Sequence, residues 1–210
     1  MKFFTAFFVL CSLVANAQVK ILFDATKAQM CSNADWVIDA DVYNIGTAGN
    51  GSMYVGGSGN EANPQRIPTP AQSGITQSTA ETYWSGALSA WAVDLVKLGY
   101  EVETLPYNGS ITYGNSGNAQ DLSRYKVFIS DEPNIKFSSS EKDAILQFVQ
   151  HAGGLFMIAD HTISDRNFDG WDSPRVWNNL MDTNNIQNSA FGITFDIVDT
   201  SQTSSNIANL

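Results

Sequence analysis

The sequence predicts an α/β fold, a mostly parallel sheet covered by helices on both faces. Three observations carry this. Short apolar runs ending in carboxylates recur at residues 18–26 and 125–131, and a third run, residues 155–161, ends in Asp-His. Between them lie longer segments with apolar residues at helical spacing. Strands alternating with amphipathic helices are joined by right-handed crossovers, which leaves neighbouring strands parallel and both sheet faces buried. At 210 residues the chain is long enough for one such domain with a real core.

The first residues are read apart from that domain. Lys2 precedes an apolar run from Phe3 to Val14, and Ala15-Asn16-Ala17 is a small-x-small cleavage signal before Gln18. The run is too short for a lasting bilayer anchor, and Cys11 lacks the small residue expected before a lipidated cysteine. Residues 1–17 are therefore expected to be a signal peptide and residues 18–210 the domain, secreted, periplasmic or at the cell surface.

Along the domain, residues 18–26 (QVKILFDAT) read as the first strand and residues 34–41 (ADWVIDAD) as a short strand or turn. Residues 44–78 are poor in aliphatics and rich in Gly, Asn, Ser, Thr and Pro, a long loop that serves as a flap or an excursion. Ser78-x-x-Glu81 reads as a capping box. Trp84, Leu88, Trp91, Leu95 and Leu98 then recur at helical spacing up to Gly99, and the tryptophans read as core. Residues 100–106 alternate as a strand does, and residues 108–118 form a second loop. Residues 125–131 make a buried strand running into Asp131-Glu132-Pro133-Asn134. Ser138-x-x-Glu141 caps the next helix, through Ala152, and Gly153-Gly154 leads into a strand over 155–159. Ser173-Pro174 opens a third helix through about Met181, and residues 191–198 alternate as a late strand. There is no internal repeat. A polar tail follows, which either packs irregularly or marks the chain as part of a larger secreted multidomain protein.

The formal charge is −10, and −11 once Lys2 is removed with the leader. That argues against nucleic acid or an anionic membrane as partner. It suits coexistence with divalent cations, and equally plain solubility. Beyond the leader Cys31 is the single cysteine, so no internal disulfide forms, and the thiol reads as buried or incidental.

In an open parallel sheet, ligands bind beyond the carboxyl ends of the strands, where strand order reverses. The residues delivered there are Asp24, Asp131, Glu132, Asp160 and His161. Gathered carboxylates repel, so such a cluster needs a cation or shared protons. Asp24, Glu132, Asp160 and His161 form the candidate catalytic set, with His161 as base or metal ligand. The competing reading is local: a strand-end Asp often caps the following turn, and His161 donates to a loop carbonyl. His151, at a helix C-terminus, is assigned no chemistry. Asp165, Asn167 and Asp169 place oxygens at alternate positions, with Gly170 for a tight turn and Asp172 as a further oxygen, which resembles the opening of a calcium loop. Val176 stands where an EF-hand has its bidentate Glu, so a shorter loop for Ca²⁺ or another divalent metal is expected. Trp171 and Trp177 flank it as core lids or a sugar-stacking surface.

Residues 152–172, with the strand–helix alternation before them, resemble the class I glutamine amidotransferase-like superfamily, closer to its ThuA-like (trehalose-utilisation-like) and secreted bacterial branch. The resemblance implies a flavodoxin-like three-layer sandwich. True members carry a cysteine nucleophile after this strand, on a glycine-flanked elbow; here Asp160 or His161 stands there without a glycine neighbour, so glutaminase activity is not expected. In ThuA-like domains a His often replaces the thiol, and His161 fits. Three functional readings follow. One is an amidotransferase-like domain without that activity, binding a divalent cation on loop 165–172 and a small-molecule or carbohydrate ligand at the strand ends. Another is a metal-dependent hydrolase acting on a carbohydrate or ester through His161 and the strand-end carboxylates, with residues 44–78 as flap. The third is a degenerate domain that supports a neighbour. The first two part on whether Asp160, His161, Asp24 and Glu132 line one concave pocket.

Overall fold

In the computed structural model, residues 18–31, 34–39, 45–48, 50, 52–55 and 72–198 are described. The leader, most of the 44–78 loop and the tail after residue 198 lie outside them. Four parallel strands form the main sheet: β1 (Lys20–Asp24), β4 (Glu101–Leu105), β5 (Val127–Asp131) and β6 (Gly154–Ile158), in the order β4-β1-β5-β6. Their register is direct, with Ile21 against Val102 and Val127, and Asp131 against Ile158. A short antiparallel pair, β2 (Ile45–Thr47) and β3 (Met53–Val55), stands inside the segment read as loop. No helix among the described residues is long and apolar enough to cross a membrane.

Alternation along the strands sorts the core into two layers. Ile21, Phe23, Val102 and Ile129 face helix α1 (Ser89–Lys97), packing on its buried Ala92 and Val93. Leu22, Leu105 and Phe128 face the other way, onto α2 (Ser139–Gln150) and α3 (Ser173–Asp182), meeting Ile145, Phe148, Val176 and Trp177. The molecule is thus a three-layer α/β sandwich with helices on both faces, as the strand–helix alternation predicts.

Side chains satisfy the first amides of α2 and α3 but not of α1, and two starts differ from the sequence reading. At α2 the capping box is present: the Ser138 hydroxyl accepts from Glu141 N and the Glu141 carboxylate accepts from Ser138 N. At Ser78 it is not. The amides of Gly86, Ala87 and Leu88 donate to the carbonyls of Ile38, Asp35 and Val37 rather than back along a helix, so α1 starts only at Ser89. Gly86 permits this contact, since a Cβ there would lie 2.0 Å from the Val37 carbonyl oxygen. At α3 the N-cap is Asp172, not Ser173, and Pro174 falls at the second helical position rather than the first. Residues 191–198 form no strand. Phe191 and Gly192 hold positive φ, and Phe195 spends its amide and carbonyl on the Asn178 side chain instead of a strand neighbour.

The 108–118 loop hangs on a single carboxylate. Asp121 accepts from the Thr112 hydroxyl, Gly114 N, Asn115 N and both the amide and hydroxyl of Ser123. Burial opposes its charge, yet the Ser123 and Thr112 hydroxyls and these amides hold it down at about 2. Asp121→Ala should cost about 2 kcal/mol, the loss of a cap and several charge-assisted bonds. Because the folded value is depressed, this stability is complete above the ordinary carboxylate range and fades as pH falls through about 2. Urea midpoints of wild type and variant should therefore differ clearly at pH 7 and converge on acidification.

Candidate functional site

Strand order sets the location. From β1 the chain first adds β4 on one side, then crosses to β5 on the other and moves outward to β6, so order reverses between β1 and β5. Beyond the carboxyl ends of β5 and β6 opens a cavity of about 550 Å³. Its polar wall is Glu132, Asp160, His161, Asp165 and Arg166, and its apolar wall is Ala34, Trp36, Ile163 and Phe168. Three of the four residues expected to act together, Glu132, Asp160 and His161, share this cavity.

Asp24 does not. It is 2% exposed, and its two oxygens accept from Thr26 N and hydroxyl, Gln29 Nε2 and the Ser130 hydroxyl. Burial raises its pKa, against the opposing pull of Lys27 and the Thr26 and Ser130 bonds. It ties β1 to β5 beneath the site, a structural role where a catalytic one was expected.

Arg166 sits at the centre of the polar wall, and sequence reasoning passed it over. Its guanidinium forms an ion pair with the Glu132 carboxylate and donates to the Glu132 carbonyl, while its amide donates to Asn134 Oδ1 at 2.8 Å. Glu132 holds φ 43, the left-handed region, directly after β5, and its amide reaches Ile158 O across the sheet. A non-glycine residue kept there is strained unless its surroundings over-determine it; the bonds to Arg166 and Ile158 do so. Asp131, 7% exposed, accepts no hydrogen bond among the described residues. Burial and the neighbouring Asp160 charge push it up to about 6, against the pull of Arg166. Cys31 is also within the field of Arg166, but burial pushes its thiol up to about 12, so it is not a nucleophile near neutral pH.

Asp160 and His161 form the other half. One Asp160 oxygen accepts from the Ser173 hydroxyl at 2.6 Å, which fixes the carboxylate to the start of α3. The other lies 3.6 Å from His161 Nδ1, and the imidazole is 68% exposed. The pair is close enough for the carboxylate to set the ring's tautomer once a ligand tightens the site. His151 is elsewhere, at the end of α2, with Nδ1 at 2.7 Å from Gln147 O and its ring stacked on Tyr113.

In loop 165–172 the expected metal oxygens have protein partners. Asp165 accepts from Asp169 N and Gly170 N, Asp169 from Trp171 N, and Asp172 from Ile163 N, Arg175 N and the Arg175 guanidinium. Asn167 is buried at 1% exposure. Among the described residues no three His, Cys, Asp or Glu side chains converge as a metal site requires. Trp177 is a core lid, fully buried; Trp171 is half-buried, with the Lys136 ammonium 4.2 Å from its ring centre. With these oxygens already serving the loop's own amides and the Arg175 guanidinium, millimolar Ca²⁺ should leave the melting temperature unchanged relative to EDTA. A rise of several degrees that Asp165→Ala removes would establish a calcium loop instead.

Fold and cavity together define a three-layer α/β domain with a polar site at the carboxyl ends of its strands. No protein-family model matches the chain, and no curated protein or solved structure does either.

Proposed function

We propose that this chain is a secreted hydrolase of the amidotransferase-like pattern, without amidotransferase activity, that cleaves an ester or carbohydrate linkage at the strand ends. The observation carrying this is that Glu132, Asp160, His161 and Arg166 line one cavity rather than capping helices under cover. In this reading His161, oriented by Asp160 through Nδ1, takes a proton from water at Nε2. The water oxygen attacks the substrate carbonyl or acetal carbon, and the imidazolium returns the proton to the departing oxygen. Arg166 supplies positive charge beside the reacting centre, held in place by Glu132. In this reading His161 takes the place of the amidotransferase thiol, and burial pushes the Cys31 thiol up to about 12.

The test is turnover of 4-nitrophenyl acetate, and of 4-nitrophenyl glycosides, by the purified chain. His161→Ala should lower kcat/KM by about 10²–10⁴-fold, the usual contribution of a general base, with an unchanged melting temperature. Equal rates for wild type and variant, or no turnover of either substrate class, would overturn the reading and leave a non-catalytic binding domain.

A further inference from the structure

The apolar wall of the cavity is built at a conformational cost that its own packing does not return. Ile163 and Phe168, both on the rim, are 80% and 81% exposed. Both also hold positive φ, 67° and 58°. A β-branched or bulky residue there is a genuine outlier. What keeps them is a set of buried or turn carboxylates: Ile163 N donates to Asp172, and Asp165 closes the turn that follows Phe168 by accepting from Asp169 N and Gly170 N. The oxygens that resemble a calcium loop are thus spent on presenting two large apolar side chains at the mouth of a polar cavity. Trp36 and Ala34 continue that apolar wall inward. Exposed apolar surface of this kind gains when a ligand covers it.

We infer that Ile163 and Phe168 are specificity-determining residues, and that the ligand carries an apolar acyl or aryl group next to its polar reacting centre. This rests on the reading that the strand-end cavity is the active site. Charge narrows the class further. Glu132, Asp160 and Asp165 outnumber Arg166 on the polar wall, so an anionic ligand is repelled and an uncharged one is favoured. The ligand class is an uncharged ester with an apolar acyl group, against which short acetyl or anionic esters are poor competitors.

Two readouts on the full chain separate this inference from the hydrolase reading. Equilibrium binding of the uncharged fluorophore N-phenyl-1-naphthylamine should be strong in wild type and in His161→Ala, and at least tenfold weaker in Ile163→Ser plus Phe168→Ser, whose melting temperature should be no lower than that of wild type because both side chains are already exposed. Turnover of 4-nitrophenyl butyrate should exceed that of the acetate by at least tenfold, and in the double variant the butyrate-to-acetate ratio should fall to about one. Fluorophore binding that follows the rim variant without any ester turnover would sustain the apolar site and retire the hydrolase. Equal binding and an unchanged acyl preference in the double variant would overturn the inference, whether or not His161 proves catalytic. Should that variant lose its fold, the single changes Ile163→Ala and Phe168→Ala carry the same comparison.

Discussion

Trp177→Ala should be strongly destabilising, costing about 3–5 kcal/mol, the range for removing a buried aromatic and leaving its cavity. Trp177 is 0% exposed and packs against Phe137, ring centres 5.4 Å apart. Its indole N–H donates to Ile158 O at 2.8 Å, so it fastens α3 to the last residue of β6. That bond fixes both ends of the segment carrying Asp160, His161 and Arg166. A loss of this size is a large fraction of the stability of an ordinary domain, and urea unfolding should show it as a shifted midpoint with little change in slope. Trp177→Phe keeps most of the volume but loses the indole bond, leaving the Ile158 carbonyl to the Glu132 amide alone, and should cost about 0.5–1.5 kcal/mol. If both variants unfold at the wild-type midpoint, α3 is not anchored through this residue.

The strands were legible because their physics is local. A run such as Ile21-Leu22-Phe23 must bury both faces, and only a sheet between helix layers allows that. The start of α2 was legible for the same reason, since Ser138 and Glu141 satisfy each other within four residues. The start of α1 was not: its preceding amides are taken by Val37 and Ile38, some fifty residues away, which no capping pattern records. Phe191–Val198 alternates convincingly, yet Asn178, from another element, captures Phe195 before a strand forms. At the site, the sequence reading looked for a bound cation or shared protons to balance the gathered carboxylates and did not consider a cation from the chain itself. The structure places Arg166 among them, and burial with the neighbouring Asp160 charge pushes Asp131 up to about 6. The signal was present as an arginine inside the acidic run Asp165–Asp172, and was hidden by the calcium-like spacing around it. Which strand-end Asp turns inward is equally unreadable from spacing: Asp24 and Asp160 look alike until Thr26, Gln29 and Ser130 are seen to surround the first.

Arg166→Met should be strongly destabilising, and by an amount that grows with pH. The guanidinium is 11% exposed and its partner Glu132 14%, so removing the arginine leaves a nearly buried carboxylate without its counter-charge, a loss of about 3–5 kcal/mol. Asp131 adds the pH dependence. Its folded value already lies near 6, raised by burial and Asp160 and restrained by Arg166. A raised carboxylate favours the folded state only while protonated, so wild-type stability should fall as pH rises from about 4 to 6 and then level off. Without Arg166 the restraint is gone, Asp131 titrates higher still, and the fall should continue into the neutral range. Below pH 4, with Asp131 protonated, the pH-dependent part of the deficit should vanish. Glu132→Gln in the Arg166→Met background removes the stranded charge and should recover part of the loss at pH 8; Asp131→Asn should recover the pH-dependent part. Chemical denaturation of these four proteins across pH 4–8 measures each contribution. A deficit of equal size at both ends of that range would mean that Arg166 acts through packing, and that the acidic cluster does not depend on it for its charge.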